Sequence, residues 1–383
     1  MSVEINRTDW ANALLIGIAQ KIQLNKVDHD KAVNRYNIIS QYLTGIHAEV
    51  LGASPIIYPQ GSFRTRSTIS SYRNDDYDID LILELNIRWD QDPDAVLDFL
   101  HDVMENGKGR LQFESVEKKR RCVTLNYSGM HLDITPAVFV DPNNMRVVSI
   151  FDTHPNRPDH ALANPEGFAR WFDERVLSAE SLRKFSVQAR TFPVPDQEPL
   201  EDKPLRLLSL QLLKRFRDIA CEVGKYDRCP SVLLSKLVAL APSASTGGLL
   251  GDLTVATRYV RDQLNVETPY QENPTCSHDI FTDRWPAYTV AHLKFVADLN
   301  CLLVALQRLV SNGTLVEKQS VLQSLFGEKA TQSVFADVQK GLAEKSRSGA
   351  LSAAAVSGAI SIPTSDATAK SNISVKPHRF FGR

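Results

Sequence analysis

The sequence predicts an α+β fold, in which a lobe built on a mixed β-sheet follows a long N-terminal helical segment and precedes a helical second lobe. Three observations support this fold class. Apolar residues recur at helical spacing over about residues 8–46, short strand-like runs occupy residues 54–151, and helical patterns fill most of the chain after residue 204. A chain of 383 residues has room for both lobes, because domains typically contain about 100 to 200 residues.

The N-terminal segment is predicted to form two helices or one broken helix before the first strand. Thr8 and Asp9 are suitable helix caps at its start. Beyond them, apolar side chains recur every three or four positions, at Leu14, Leu15, Ile18, Ile22, Ile38, Ile39, Tyr42 and Leu43.

The first lobe is predicted from five short apolar runs, which are SPIIYP, YDIDLILEL, RCVTLNY, HLDITPAVFV and RVVSIF. One helical segment, DAVLDFLHDVMENG, interrupts them. Residues 154–205 are rich in Pro, Asn and Asp, so they are expected to be connecting structure around one helix that begins near Pro165.

The second lobe follows as a series of helical patterns, and the chain ends in a different composition. Residues 346–383 are mostly small and polar, and too few large side chains are present to offset the entropy of ordering them. We therefore expect residues 1–165 to form the first lobe with its N-terminal helix, 166–345 the helical lobe, and 346–383 a flexible tail.

Composition narrows the class of protein. The net charge is −1, with 44 Lys and Arg against 45 Asp and Glu, so no overall positive field favours long nucleic acid as a partner. Five scattered cysteines without a C-x-x-C pair do not predict structural zinc, and their odd number, without a signal peptide, fits reduced thiols. No apolar stretch reaches membrane-spanning length. These features predict a cytoplasmic protein that does not engage membranes.

Two carboxylates in the run YDIDLILEL are the first candidate site residues. Side chains alternate along a strand, so Asp78 and Asp80 project from the face opposite the apolar residues at the odd-numbered positions. D-x-D pairs also occur at Asp28/Asp30, Asp76/Asp78, Asp90/Asp92 and Asp92/Asp94. Asp78 and Asp80 differ because they lie inside an apolar strand, where clustered negative charge needs compensation by cations or donors. Hard divalent metals supply this and prefer carboxylate oxygen.

Two further features extend this candidate site. Gly61 and Ser62 follow the strand IIYP, and a Gly-Ser turn there brings backbone N–H groups and a hydroxyl close to phosphate oxygens. Asp133 is a single acid in the apolar run HLDITPAVFV, directly after a predicted hairpin turn. The alternative is a set of buried acids paired with nearby bases, namely Arg64, Arg66, Arg73 and the run Lys118 to Arg121.

Three carboxylates beside a phosphate-binding turn suit phosphoryl transfer assisted by two metal ions. Two Mg²⁺ ions roughly 4 Å apart, which Mn²⁺ can replace, would stabilise the attacking hydroxyl and the leaving pyrophosphate. In this hypothesis Asp133 binds the ion nearer the attacking ribose hydroxyl, while Asp78 and Asp80 bridge both ions.

These residues also carry a family resemblance. Gly61-Ser62, Asp78-Ile79-Asp80 and Leu132-Asp133-Ile134 resemble the pattern of the DNA polymerase β-like nucleotidyltransferases. The string GSFRTRSTI…DDYDIDLILEL is similar to their bacterial cGAS/DncV-like branch, the CD-NTases of the anti-phage systems called CBASS. The segments ANPEGFARWF, LQLLKRFRDIA and ENPTCSHDIFTDRW extend the resemblance over most of residues 1–330.

The resemblance implies an oligoadenylate synthase-like second lobe that faces the nucleotide and supplies Lys214 to the triphosphate. From the residues alone, Lys214 belongs to a cationic cluster with Arg215 and Arg217, and such a run is usually a solvated helix face. Ser231 and Lys236 are further candidates for nucleotide contact, against a reading as a helix N-cap and a surface lysine.

Other side chains are weaker candidates. Four aromatic residues could stack on a base but are expected to be core, namely Tyr226, Tyr259, Tyr270 and Trp285. His131 is expected at the strand surface, and Asp76 could be mistaken for a third ligand on the strand face of Asp78 and Asp80.

The predicted activity is the joining of two or three nucleoside triphosphates into a cyclic oligonucleotide second messenger, which would activate a separate effector. Linear oligonucleotide synthesis, nucleotide addition to RNA, and a catalytically silent nucleotide sensor are the alternatives, although a silent sensor predicts the loss of an acid and all three are present. The end of the tail, VKPHRFFGR, resembles tails offered to operon-encoded partners, but here Arg383 follows Gly382, so conjugation would require its removal.

Overall fold

The computed structural model describes residues 7–45, 55–73, 76–141, 146–154, 160–177, 203–266, 271–283 and 285–347, and three short strands beyond residue 351. Two helices open the chain, α1 (Arg7–Ile22) and α2 (Lys26–Gly45), so the predicted break is confirmed. Asn25 lies between them, and its side chain accepts a hydrogen bond from the backbone N–H of Asp28 at the start of α2.

A seven-stranded sheet forms the first lobe. Its strands are β1 (Ile56–Gln60), β2 (Tyr77–Leu85), β3 (Ser115–Lys118), β4 (Val123–Tyr127), β5 (Met130–Asp141), β6 (Val147–Phe151) and β7 (His160–Ala163). The order is β1-β2-β5-β4-β3, and β6 pairs with the distal part of β5 and with β7. Only β2 and β5 pair in parallel within this sheet, so the predicted mixed sheet is confirmed. β3 and β7 were not predicted, since neither carries an alternating apolar pattern.

Two further elements belong to this lobe. The short helix α3 (Gly61–Arg64) leaves β1, and α4 (Pro93–Leu111) connects β2 to β3. Alternate residues of β2 are buried against α2 and α4, namely Tyr77, Ile79, Leu81, Leu83 and Leu85. The predicted alternation is therefore confirmed, and each fully buried leucine stabilises the fold by about 1.5–3 kcal/mol. The opposite face of β2 carries Asp78 and Asp80 at its start, followed by Ile82 and Glu84, which are buried.

The second lobe is helical, as predicted. It contains α5 (Pro165–Val176), α6 (Leu205–Gly224), α7 (Ser231–Leu240), α8 (Gly248–Leu264), α9 (Val290–Val310), α10 (Leu315–Phe326) and α11 (Glu328–Arg347), with a hairpin of β8 (Glu272–Asn273) and β9 (Cys276–Ile280). Asn164 caps α5, which confirms the helix predicted near Pro165. The apolar face of α1 packs into the core of these helices, so α1 connects the two lobes. Residues 178–202 lie outside the described part of the chain.

Three short strands beyond residue 351 form a small antiparallel sheet, with β10 (Ser352–Ala354) between β11 (Ile360–Ser361) and β12 (Asn372–Ser374). The end of the predicted tail, VKPHRFFGR, lies outside the described residues, so its role stays a prediction. Within the described ranges, no helix has the length and apolar character needed to cross a membrane.

Candidate active site

The parallel pairing of β2 with β5 brings the predicted acids together. Asp80 lies directly opposite Asp133, and Asp78 lies opposite His131. Residues in register on neighbouring strands point to the same face, and the strands are about 4.8 Å apart. Asp78 is exposed, and Asp80 and Asp133 are partly exposed on the face opposite the core. Asp76, before the first residue of β2, lies near His131 instead, with its Oδ2 3.9 Å from the imidazole Nε2.

The Gly-Ser turn leaves the sheet at the level of Asp80. β1 runs antiparallel to β2, and Gln60, its last residue, pairs with Asp80. Gly61 follows with φ +61°, a left-handed conformation that favours glycine. A Cβ at this position would collide with the Asp80 carboxylate. The turn therefore requires glycine for both its conformation and its closeness to the acid.

A buried ion-pair network holds this turn. Arg64, at the end of α3, lies 3.1 Å from Glu166 and 2.9 Å from Asp173, both on α5. Arg66 lies 2.7 Å from the other oxygen of Asp173. All four side chains are at most 6% exposed, and a buried pair of this kind is costly to break because one charge would be left uncompensated. The network fixes α3, and with it Ser62, against the second lobe.

The bases proposed as alternative partners for the acids pair elsewhere. Arg64 and Arg66 bind the α5 acids, Arg73 binds Glu222, Lys118 binds Asp94 and Asp98, and Arg120 and Arg121 bind Asp152. That alternative is therefore wrong for every base except Lys119. The Lys119 Nζ lies 3.5 Å from Asp133 Oδ1, which also accepts a 2.5 Å hydrogen bond from the Thr124 hydroxyl.

Negative charge remains poorly compensated at this site. Burial, followed by the charges of Asp133 and Asp78, raises the pKa of Asp80 to about 7. Although Asp78 is open to solvent, desolvation by the atoms around it, followed by the charge of Asp133, raises its pKa, and His131 opposes the shift. Such shifts cluster at functional sites, because a bound cation removes the repulsion that causes them.

This donor set fits a divalent metal in its chemistry. All the candidate ligands are carboxylate oxygens, which Mg²⁺ prefers, and the pKa of Asp80 is raised even though Lys214 and Lys119 oppose the shift. Within the described ranges, however, no three His, Cys, Asp or Glu side chains converge closely enough to hold an ion as they stand. Asp133 is held instead by Thr124 and Lys119.

Lys214, which the resemblance implied as a phosphate contact, lies on α6 and lines both cavities described below. Its side chain is buried, and its Nζ lies 2.7 Å from the Ser67 hydroxyl and 3.3 Å from the Ser67 carbonyl. Burial, followed by the charge of Arg217, lowers the pKa of Lys214 to about 7, and Asp80 opposes the shift. Arg215 and Arg217 are also buried, so the interpretation as a solvated cationic face is wrong.

Ser231 begins α7 and faces the same space. Its hydroxyl accepts a 2.9 Å hydrogen bond from Arg217, and the residue at the N-cap position is Pro230, so the N-cap interpretation of Ser231 is wrong. Lys236 is 9% exposed and donates to the Glu272 carbonyl at 2.7 Å. It is therefore a buried anchor for the β8–β9 hairpin and not a surface lysine.

Two cavities meet at these residues. One has a volume of about 680 Å³ and extends toward Arg73, Glu222 and Tyr226. The other, of about 320 Å³, extends toward the β8–β9 hairpin. Both are lined by Ser62, Lys214, Pro230 and Ser231. The predicted phosphate-binding residues therefore lie at the junction of two spaces that nucleotides could fill.

The weaker candidates take mostly structural positions. Trp285 is buried in the core of the second lobe and Tyr259 packs against that core. Tyr226 lines the larger cavity, and its hydroxyl donates to Asp298 at 2.5 Å. His131 is a partly exposed strand residue whose Nδ1 lies 2.8 Å from Asn126 Oδ1, as expected. Tyr270 lies outside the described residues.

The sequence did not single out the acid Asp279 in the smaller cavity, and it offered Lys119 only as one member of the run Lys118 to Arg121. Lys119 is one of four consecutive basic residues, and the other three form ion pairs with Asp94 and Asp152. Only the structure reveals these pairings. Asp279 stands in a segment quoted only for its resemblance, and only the hairpin turns it toward the cavity.

Comparison with known proteins decides the family. Residues 12–175 match the model of the Second Messenger Oligonucleotide or Dinucleotide Synthetase domain. The cyclic dinucleotide synthase CdnG of Bradyrhizobium diazoefficiens is 30% identical over 359 residues, which cover 87% of this chain and 84% of CdnG. The chain belongs to the CD-NTase family. It is a nucleotidyltransferase of the class that makes second-messenger cyclic dinucleotides from nucleoside triphosphates.

Solved structures and a second sequence relative agree with this assignment. The CD-NTase CdnG solved with GTP superposes with a TM-score of 0.71 and 28% identity, covering 86% of this chain and all of that one. The c-di-GMP synthase of Roseivirga ehrenbergii is 23% identical over 85% of this chain and 87% of its own length. The E. coli MS115-1 CdnC–HORMA complex gives a TM-score of 0.58 at 14% identity, covering 83% of this chain and 97% of that one, and shares the fold. The predicted family and fold are confirmed.

Proposed function

We propose that this CD-NTase joins two nucleoside triphosphates, at least one of them GTP, into a cyclic dinucleotide and releases two pyrophosphates. The observation that carries the proposal is the register of β2 and β5, which places Asp80 and Asp133 side by side next to the Gly61–Ser62 turn. GTP is the nucleotide bound in the CdnG structure, and the Roseivirga relative is a c-di-GMP synthase.

The triphosphate would bind where the cavities meet. The Gly61–Ser62 turn offers backbone N–H groups and a hydroxyl, and Lys214 and Ser231 face it from the second lobe. A triphosphate beside Lys214 would favour the protonated amine and raise its lowered pKa. Both lobes would then contact one nucleotide.

The three aspartates, Asp78, Asp80 and Asp133, are the residues that would hold Mg²⁺, with Mn²⁺ as a substitute, in one or two positions. When bound, the metal neutralises phosphate charge and makes the attacking ribose hydroxyl more acidic. Without it, the same carboxylates would repel a triphosphate, because their charge is already poorly compensated.

The reaction proceeds as two displacements at phosphorus. A ribose hydroxyl of one nucleotide attacks the α-phosphorus of the other, a new P–O bond forms, and the bond to pyrophosphate breaks. The linear product then presents its remaining triphosphate to the other ribose hydroxyl, and the second displacement closes the ring. The chain contributes positioning, because α3 is fixed by buried ion pairs and β2 and β5 by their ladder.

The setting of this activity follows from the same proposal. The product would act as a second messenger on a separate effector in anti-phage defence, within the cytoplasm where nucleoside triphosphates are available. The CdnC relative was solved with a HORMA protein, and a protein partner that contacts the C-terminal tail of this chain fits that precedent.

Release of pyrophosphate tests the proposal. Purified protein with GTP, ATP and Mg²⁺ should release pyrophosphate, and chelation of the metal should stop the release. Asp133→Asn should abolish it, whereas Asp262→Asn, at an exposed aspartate paired with Arg261 on α8, should leave it unchanged. Equal release by the wild type and Asp133→Asn would contradict the proposed site.

A further inference from the structure

The smaller of the two cavities, here called the hairpin cavity, has the shape of a nucleoside site. One end is formed by Gly61, Ser62, Lys214 and Ser231, and the other by the β8–β9 hairpin. A nucleotide whose phosphates lie at the Gly-Ser turn would therefore direct its base toward the hairpin. The volume of about 320 Å³ is within the range of small-molecule pockets, which is about 300–1,000 Å³.

The walls of the hairpin cavity combine apolar side chains with polar ones. Phe168, Val232 and Phe281 line its sides, and the two phenylalanine rings pack edge to face at 5.3 Å. Such walls suit a flat base, because they bury its faces and leave only its edge to be recognised by polar atoms. At the hairpin end, the polar residues that line the cavity are Arg121, Asn273, His278, Asp279 and Asp283.

Asp279 is held firmly in position. Its Oδ2 accepts a 2.9 Å hydrogen bond from the side-chain amide of Asn273, which also donates to the Asn164 carbonyl at 3.2 Å. Asn164 in turn donates to the Thr275 carbonyl and caps α5, and both asparagines are at most 1% exposed. A carboxylate fixed in this way can recognise a base edge at low entropic cost.

Asp279 accepts hydrogen bonds from the Asn273 amide and from the Asn164 backbone N–H, and a carboxylate has room for more. Burial raises its pKa to about 6, and the charge of Asp283 adds to the shift, although Asn273 and Arg121 oppose it. A carboxylate can accept about four hydrogen bonds, so additional donors from a ligand would stabilise its charge.

We propose that Asp279 selects guanine in the nucleotide that occupies the hairpin cavity, by accepting hydrogen bonds from the base N1–H and from its 2-amino group. This inference rests on the proposed function, since it assigns one base of the product. Asp279 is then a specificity-determining residue for this reaction.

The chemistry of the four bases supports guanine. An ionised carboxylate only accepts hydrogen bonds, and guanine alone presents two adjacent donors on its pairing edge. Adenine and cytosine present one donor beside an acceptor, and uracil presents one donor between two acceptors. An acceptor that faces Asp279, whether a ring nitrogen of adenine or cytosine or a carbonyl oxygen of uracil, would place two hydrogen-bond acceptors against each other, which buried sites discriminate against strongly.

The test measures binding of non-hydrolysable GTP, ITP and ATP analogues, with Mg²⁺, to the full chain and to Asp279→Asn. ITP keeps the N1–H of guanine but lacks the 2-amino group. The wild type should bind in the order GTP, ITP, ATP, with GTP preferred over ATP by roughly 30-fold or more, the discrimination expected of a buried bidentate contact. Asp279→Asn should lose this preference and gain affinity for ATP, because an amide matches the donor and acceptor of adenine.

Two controls make the result specific. Asp279→Glu keeps a carboxylate and should still bind the GTP analogue most tightly. Asp262→Asn makes the same carboxylate-to-amide change at an exposed position on a helix and should bind all three analogues as the wild type does. An unchanged preference for GTP in Asp279→Asn, or equal binding of GTP and ATP by the wild type, would overturn the assignment.

The composition of the product separates this inference from the proposed function. In equimolar GTP and ATP, Asp279→Asn should replace guanine by adenine in at least one position of the product. If the chain makes a dinucleotide whose bases do not change in Asp279→Asn, the assignment of Asp279 fails and the proposed function stands. If no dinucleotide forms from any variant, the proposed function fails, and the binding order still decides the role of Asp279.

Discussion

Asp80 and Asp133 are direct partners across the one parallel strand pair in the described part of the seven-stranded sheet. Parallel register places both carboxylates on the same face, and the turn that follows Gln60 adds Gly61 beside Asp80. This arrangement gathers negative charge, and burial together with the charges of Asp133 and Asp78 raises the pKa of Asp80 even though Lys214 and Lys119 oppose the shift. The repulsion between these carboxylates destabilises the metal-free protein, and it would be relieved when a cation binds.

Asp80→Asn should separate catalysis from stability. Removal of the charge should lower activity by about 10³-fold or more, because electrostatic stabilisation by a metal contributes several kcal/mol to the transition state. The same change should raise the melting temperature of the metal-free protein, since repulsion from Asp133 and Asp78 is relieved. Calorimetry with and without Mg²⁺ measures this, and a less stable metal-free variant would argue against the account.

Gly61→Ala should damage the site without unfolding the chain. The added Cβ would collide with the Asp80 carboxylate at a residue whose φ is +61°. Misplacement of a positioned group by about 1 Å can cost roughly 100-fold in rate, and a loss of that order is expected.

Gly109→Ala is the matched control for Gly61→Ala. Gly109 lies within α4, and a Cβ there would meet no atom within 4 Å. This variant should keep full activity and gain about 0.5–1 kcal/mol of stability, since alanine is the better helix former. Activity is measured as pyrophosphate release. Equal activity of the two variants would show that the turn is not part of the site.

Lys214→Met should weaken nucleotide binding. A lost charge-assisted hydrogen bond to phosphate costs about 1.5–3 kcal/mol, so the dissociation constant for a non-hydrolysable triphosphate should rise roughly 10- to 100-fold. Nucleoside binding should change much less, because the contact is with phosphate. Lys26→Met, at a lysine on α2 whose side chain is 86% exposed, serves as the control. Equal weakening of nucleoside and triphosphate would contradict a phosphate contact.

Asp152 gives a pH-dependent prediction. Burial would raise its pKa, but hydrogen bonds from Arg120 and Arg121 outweigh burial and hold the pKa well below its usual value of 3.8. A lowered carboxyl pKa contributes stability that is present above the unfolded-state value and is lost as the pH falls toward the folded-state value. Asp152→Asn should therefore cost about 3 kcal/mol at pH 7, since it breaks a buried pair.

The gap in stability between the wild type and Asp152→Asn should shrink once the pH falls below about 4, where the unfolded-state carboxyl becomes protonated. Denaturant unfolding at pH 7 and pH 3 measures the difference. A gap that is the same at both values would mean that the ion pair contributes nothing.

Much of the site could be predicted because its signals are local. Strand alternation separated Asp78 and Asp80 from other D-x-D pairs, and the predicted hairpin turn before β5 indicated that Asp133 lies in the strand that follows it. The register between β2 and β5 is not local, since it depends on packing across the lobe. It had to come from the structure.

The remaining residues depend on contacts between distant segments. Lys214, Arg215 and Arg217 look like a solvated cationic run, but all three are buried. Lys214 and Arg215 contact the loop that carries Ser67 and Ser70, and Arg217 binds the Cys229 carbonyl and Ser231. Asp279 acquires its setting from Asn273 and Asn164, and only the folded hairpin brings those residues together. Periodicity along one segment does not encode these relationships.

The most direct test of the central claim is the identity of the product. The protein should be incubated with all four nucleoside triphosphates and Mg²⁺, treated with phosphatase, and its products measured by mass spectrometry. The account predicts a phosphatase-resistant cyclic dinucleotide containing guanine, which is absent from a variant that carries both Asp78→Ala and Asp80→Ala. Phosphatase-sensitive linear oligomers, or the same product from that variant, would contradict it.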